Sequence, residues 1–191
     1  MAWPTTAVAT GDLITATQLN GLPVMIANTT LTGSAATIAF SSIPSHYAHL
    51  LLVAYLRSDT GAAIIGGLIR LNSDSAGNYD YQYVLGRAAA ASAAETFAAT
   101  SALLGSIPGS TAGANLFGVV VVDIPHYANS ANNKSYTSKN AHKSGTASGN
   151  LDALQSAGFW RSNSAISSFY LLPGAGSFVS GSRATLYGLP G

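Results

Sequence analysis

Most of the chain alternates. From Val24 onward, apolar residues recur at every second position in short runs, and Gly, Ser, Asn and Thr break the runs apart. A period of two sends successive side chains to opposite faces of an extended chain, so the pattern predicts strands rather than helices. VMIANTT and ATIAFSSI are separated by the turn-like LTGSA. HLLLVAYLRS carries Leu50, Leu52, Ala54 and Leu56 on one face and Leu51, Val53 and Tyr55 on the other, which predicts a central strand covered on both sides. AIIGGLIRLNS follows, then DSAGNYDYQYVLG, where Tyr79, Tyr81 and Tyr83 alternate with other residues. LFGVVVVDIPHY is the strongest strand, rich in β-branched residues. KSYTSKNAHKS, GFWRSNSAISSFYLL and RATLYGL bring the total to roughly nine or ten strands. In RATLYGL, Ala184, Leu186 and Gly188 share one face, and Arg183, Thr185, Tyr187 and Leu189 share the other.

Two segments depart from this rhythm. Residues 87–105 are alanine-rich and have helix propensity, yet their apolar positions are not sharply periodic. They read either as a helix or as an extended small-residue strand with a loop. Residues 1–22 read as an appendage. Trp3-Pro4 and the Thr/Ala/Val string after it are extended, and DLITATQLNGL offers Thr15 as the N-cap of a short helix stopped at Asn20-Gly21. A helix that short needs a surface to pack on. The expected architecture is all-β: a jelly-roll-like β-sandwich over residues 23–191, with an N-terminal arm and short helix over residues 1–22.

Composition sharpens this picture. Of the 191 residues, 48% are hydrophobic and only 8% are charged, against a usual charged share of roughly 25%. The surface must be built from Ser, Thr, Asn, Gly and Ala, and a surface poor in charge is weakly protected against association. Much of it is expected to be buried against other chains. A net charge of +1 gives no field to steer the protein to nucleic acid or to an anionic membrane. No cysteine is present, so neither a disulfide framework nor a thiolate zinc site is expected. The longest apolar runs are far short of the ~20 residues that span a bilayer, and no secretory signal is expected at the start.

Candidate chemistry is sparse. NKSYTSKNAHKSG gathers Lys134, Lys139, His142 and Lys143 around Tyr136. Such a cluster could meet phosphate groups on nucleic acid or on a surface polysaccharide. Lysines alone give no bidentate readout, and a solvated strand-loop-strand is the plainer reading. Phe159, Trp160, Phe169, Tyr170 and Tyr187 form either a sugar-stacking platform or the filling of the core and a subunit interface. Trp160 joins the lysine cluster as the candidate glycan contact. His46 and His49 stand three apart, on opposite faces of a strand, so packed histidines are expected there rather than a metal site. Asp123 and His126 lie near each other, but no G-x-S-x-G elbow supplies a nucleophile. Asp74 sits in a polar turn without the acidic spacing of a calcium loop. The seven acidic residues are scattered along the chain. No catalytic constellation, metal or cofactor is expected.

One likeness adds to this. TTAVATGDLITATQLNGL resembles the opening of tailed-bacteriophage virion proteins. SSIPSHYAHLLLVAYLRS, RLNSDSAGNY, DIPHYANSANNKSY, GFWRSNSAISSFYLL and the closing GSFVSGSRATLYGL are similar to blocks in tail-fibre-like, baseplate and head-decoration proteins. Residues 87–105 have no counterpart in those blocks. The resemblance implies a non-enzymatic jelly-roll subunit, often a homotrimer, made in the bacterial cytoplasm and built into the virion. It further implies attachment to another tail or capsid protein through residues 1–22, with Trp3, Leu13, Ile14, Leu19 and Leu22 as apolar anchors. A tail-associated place is expected, with head decoration or contact with host surface polysaccharide as the other readings.

Overall fold

The computed structural model describes residues 21–147 and 149–191. The expected N-terminal helix and the arm residues Trp3, Leu13, Ile14 and Leu19 lie outside the described residues. Leu22 is described and is exposed. Among the described residues there are twelve strands and no helix. They are β1 (Val24–Thr30), β2 (Ile38–Phe40), β3 (His49–Leu56), β4 (Ile64–Leu71), β5 (Tyr79–Arg87), β6 (Ala90–Ala99), β7 (Ala102–Pro108), β8 (Gly118–Pro125), β9 (Lys134–Lys143), β10 (Leu151–Trp160), β11 (Phe169–Pro173) and β12 (Arg183–Leu189).

They form two antiparallel sheets, one of eight strands in the order β1-β12-β3-β8-β9-β10-β5-β6 and one of four in the order β2-β11-β4-β7. When the hairpins β5–β6 and β9–β10 are set aside, the remaining pairs are nested: β1 with β12, β2 with β11, β3 with β8, and β4 with β7. That is a long hairpin rolled up on itself, the jelly-roll arrangement. The two hairpins then join as β9-β10-β5-β6 and widen one sheet only.

The core lies between the layers. Leu50, Leu52, Ala54 and Leu56 of β3 face Ile69, Leu71, Phe169 and Leu171 of the smaller sheet, and all are buried. The other face of β3 is half-buried or exposed, so it is a sheet face open on one side rather than a strand covered on both. Tyr79 is fully buried; its hydroxyl accepts from the Leu71 N–H at 2.9 Å and donates to the Asp74 carbonyl at 3.0 Å, tying β5 to the end of β4. In β12, Gly188 packs under the ring of Tyr47, where a Cβ would overlap it.

Residues 87–105 are not helical. They supply β6 and most of β7, together with the hairpin turn at Ala88 and Ala89. Alanine's helix preference amounts to tenths of a kcal/mol per residue, and cross-strand pairing with the tyrosine-rich β5 overrides it. Ala88 opens the turn at φ +52°, a conformation that hairpins usually give to glycine or asparagine.

The free edge of β7 is closed by side chains from the facing sheet. Tyr136 and Ser156 both donate hydroxyl hydrogens to the Leu103 carbonyl, at 3.0 and 2.9 Å, and Ser138 donates to Leu104. Asn140 accepts from the Ser106 N–H at 3.0 Å. Glycine at 105 permits this approach, because a Cβ there would overlap the Asn140 side chain. We predict that Tyr136→Phe and Ser156→Ala each cost little alone, because the other hydroxyl still serves Leu103. The double variant should lose about 1 kcal/mol more than the sum of the singles in urea unfolding. Strictly additive losses would show that the two hydroxyls do not act on one carbonyl.

Candidate functional site

Strand alternation divides the lysine-rich segment between two faces. In β9 the inward positions are Lys134, Tyr136, Ser138, Asn140 and His142, and the outward ones include Lys139 and Lys143. The cluster that is continuous in sequence is therefore not a patch. Lys134, Tyr136 and His142 are buried and cannot contact a glycan at the surface, which corrects the expectation for all three. Lys134 Nζ donates to the carbonyls of Asn132 and Asn163, and burial pulls its pKa down. Tyr136 is held on β7, and burial pushes its hydroxyl pKa up.

Trp160 is also buried, at 3% exposure, and its indole N–H donates to Asp74 Oδ2 at 2.7 Å. Burial alone would raise the Asp74 carboxyl; bonds from Trp160, Asn78 and the Ala76 N–H outweigh it and hold the pKa below the ordinary carboxylate value. Asp74 thus organises the turn before β5 and anchors β10 to it. Phe169 is core, and Tyr170 and Tyr187 are half-buried. Of the five aromatics considered for a sugar platform, Phe159 alone is exposed, at 55%.

One ionic cluster stands out at the rim of the inner face, with Asp152 and His142 buried and Arg87 exposed. Asp152 on β10 lies between His142 on β9 and Arg87 on β5, in cross-strand register with both. Its carboxylate takes two bonds from Arg87 Nε, at 2.8 and 3.0 Å, and one from Nη2. His142 Nε2 lies 3.2 Å from Asp152 Oδ2, off line for a hydrogen bond, and neither ring nitrogen has a partner among the described residues. Burial lowers the His142 pKa; Asp152 pulls it up and Arg87 pushes it down. The ring sits neutral against an ion pair that is already satisfied.

The outer face of the eight-stranded sheet carries two adjacent exposed hollows. A hollow of about 460 Å³ is lined by Phe97 and Phe159 together with Gln82, Glu95, Thr137 and Ala157. Phe97 is 68% exposed and stands next to the irregular pairing at the end of β6, where Ala98 donates its N–H to Asp80. Beside it, Val84, Gly86, Ala91, Lys139, Ala153 and Gln155 line a second hollow of about 450 Å³. The exposed lysine Lys139 thus belongs to the same face as the phenylalanines. Sequence reasoning missed Phe97, an isolated aromatic in the alanine-rich stretch. Its signal lay in the pairing of that stretch with β5, which puts it on the same face as Phe159.

Chemically this face can stack, cover apolar surface and offer amide, hydroxyl and carboxylate groups. Among the described residues no group of three His, Asp or Glu side chains could hold a metal ion, and no serine hydroxyl bonds to a histidine. Half-buried His49 accepts the His126 N–H at Nδ1, at 3.2 Å, whereas His46 is exposed beside the ring of Tyr47, which corrects the packed place expected of it. The chain matches no protein-family model and no curated protein.

The buried histidine predicts a pH dependence. Unfolded, it takes up its proton near pH 6.5; folded, only at lower pH. Its contribution to stability is therefore present above pH 6.5 and is lost as pH falls toward the folded value. The melting temperature should drop between pH about 7 and 5, and His142→Gln should flatten that drop. An unchanged slope in the variant would assign it to other groups.

Proposed function

We propose that this chain is a non-catalytic structural protein of a tailed-bacteriophage particle, an oligomer that works by presenting the outer face of its wide sheet to other chains. The observation that carries the reading is how the polar groups are distributed. The buried polar side chains of β9 and β10 serve the sandwich itself, while the outer face leaves Val53, Val84, Val119, Leu151 and Phe159 exposed. Exposed apolar side chains spread over one face suit burial against protein, and the charges beside them, Glu95, Asp123, Lys139, Lys143 and Arg183, can pair across the contact.

The sequence resemblance supports the particle. The blocks that carry it coincide with packing devices: Tyr127 of DIPHY is fully buried and bonds to Pro44, and Phe178 of GSFVSG is fully buried between Ala35 and Ser58. They are the residues a lineage of jelly rolls would share. On this reading the protein is made in the bacterial cytoplasm, forms a homotrimer and joins the tail, as part of a fibre or baseplate. Residues 1–22 attach it. Head decoration is the other place, and copy number in purified particles separates them: a small multiple of three or six for the tail, hundreds for the head. Deleting residues 2–22 should leave the melting temperature within a few degrees and abolish incorporation. Normal incorporation of the truncated chain would remove the arm from the model of attachment, and absence of the full chain from particles would sink the reading.

The Phe97–Phe159 hollow favours a second reading, contact with a host surface polysaccharide. Two exposed rings can cover the apolar faces of sugars, and Gln82, Glu95 and Thr137 can bond their hydroxyls. Phe97→Ala and Phe159→Ala should each weaken glycan-array binding at least tenfold without unfolding the protein. Binding that survives both substitutions would dismiss this hollow.

A further inference from the structure

The two sheets have four edges, and three of them are guarded. β1 is preceded by Pro23 and shifts register between Met25 and Ala27. β2 is only three residues long. β7 is capped by hydroxyls and an amide from the opposite layer. β6 shifts register only at its far end, near Ala98, and has none of these devices over residues 90–97. It runs ten residues without Pro or Lys, carries one charge, Glu95, and is exposed on both faces over its first six residues. Among the described residues nothing bonds to its free edge over residues 90–97. Natural proteins blunt such edges because they template pairing with another chain. We propose that β6 is kept open as the contact through which a second copy of this chain pairs, edge to edge and antiparallel, so that two eight-stranded sheets become one.

The strand itself favours this occupant. Its straight part is bounded by the turn at Ala88 and Ala89 and by the register shift near Ala98, so a two-fold axis must pass near its middle. The two-residue turn makes Arg87 and Ala90 a hydrogen-bonded pair, and the bonding sense then alternates along the strand. Ala90, Ser92, Ala94 and Thr96 bond to β5. Ala91, Ala93, Glu95 and Phe97 offer their N–H and C=O groups to the free edge. An axis through Ala94 sets Ala93 against Glu95 of the second copy, Ser92 against Thr96, and Ala91 against Phe97. Each large side chain meets a small one, the hydroxyls meet each other, and the two carboxylates are not directly opposed. About eight main-chain hydrogen bonds form, within the usual number for a specific interface. The net charge of +1 leaves little repulsion between copies. A two-fold axis normal to the sheet keeps both outer faces on one side.

The inference rests on the reading of the chain as an assembling protein and names one partner, a second copy; in a trimer the β6 contact would join chains of two trimers, so that losing it halves the mass from six chains to three. The chain has no cysteine, so a single introduced thiol reports cleanly. Ala94 would face its own symmetry mate in a non-hydrogen-bonded pair with Cα atoms about 4.5 Å apart, close enough for a disulfide. Ala94→Cys should give a largely disulfide-linked dimer under mild oxidation at micromolar concentration. Ala91→Cys, whose mate would lie about 20 Å away along the strand, should stay largely unlinked. Ala93→Pro removes a free-edge donor without touching a bond to β5; it should halve the mass measured by light scattering and keep the circular dichroism spectrum. Equal cross-linking at both cysteines, a monomeric full chain, or an unchanged mass in the Ala93→Pro variant would overturn the contact. So would a full chain that is monomeric and dimerises only when residues 2–22 are deleted, which would assign the edge to the chain's own arm. Detection of the chain in particles separates the readings: if it is present there and β6 does not cross-link, the contact alone fails.

Discussion

The sandwich depends on how β7 is held. It is the outermost strand of the smaller sheet, and its free edge lies over the inner faces of β9 and β10. Left open, that edge would place carbonyls and N–H groups against a half-dry interface at a cost of about 1–3 kcal/mol for each unsatisfied group. Tyr136, Ser138, Asn140 and Ser156 take up those groups, so the two layers are joined by side-chain-to-backbone bonds where a jelly roll normally packs by apolar contact alone. The inward Tyr136, Ser138 and Asn140 of β9 follow from this task. So does the glycine at 105, which lets the backbone come down onto Asn140.

The same arrangement explains the overhang. The four-stranded sheet ends at β7, above β8, β9 and β10, while the larger sheet continues through β5 to β6. Among the described residues nothing covers the inner face beyond β7. The inner side of β5 shows the transition, from fully buried Tyr79 through half-buried Tyr81, Tyr83 and Leu85 to exposed Arg87. Arg87 reaches back to Asp152 from this rim and closes the polar seam that His142 completes on its inner side. The flange is thus held by one hairpin, the ion pairs Arg87–Asp152 and Arg161–Asp80, and the tyrosine ladder, and its outer rim is mostly alanine.

Much of the fold was legible in the sequence, because β-branched and alternating runs mark strands directly. VMIANTT is β1 residue for residue, and HLLLVAYL and GVVVVDIP occupy the centre of the wide sheet. Four things were hidden. The alanines of β6 carry no period, since a strand with no buried face needs none. The start of β10, LDALQSA, pairs inward Asp152 and Ser156 with outward Leu151 and Ala153, so its alternation reads backwards. The candidate contact failed for the same reason: Lys134, Tyr136, His142 and Trp160 look like surface residues, yet each has an interior partner or a packing place that only the three-dimensional pairing reveals. Phe97 and Phe159, apart in sequence and neighbours in the sheet, could be joined only once β5 was seen between their strands.

Nested pairing also governs when the protein can come into being. β12 fills the slot between β1 and β3, and β11 fills the slot between β2 and β4. A nascent chain still lacking Arg183–Leu189 on the ribosome has β1 with no neighbour and β3 with one side bare. Such long-range closure makes folding slow and leaves strand edges exposed meanwhile. Closure of the sandwich therefore waits until Arg183–Leu189 has left the ribosome, and the late strand acts as the latch that turns a collection of hairpins into one fold.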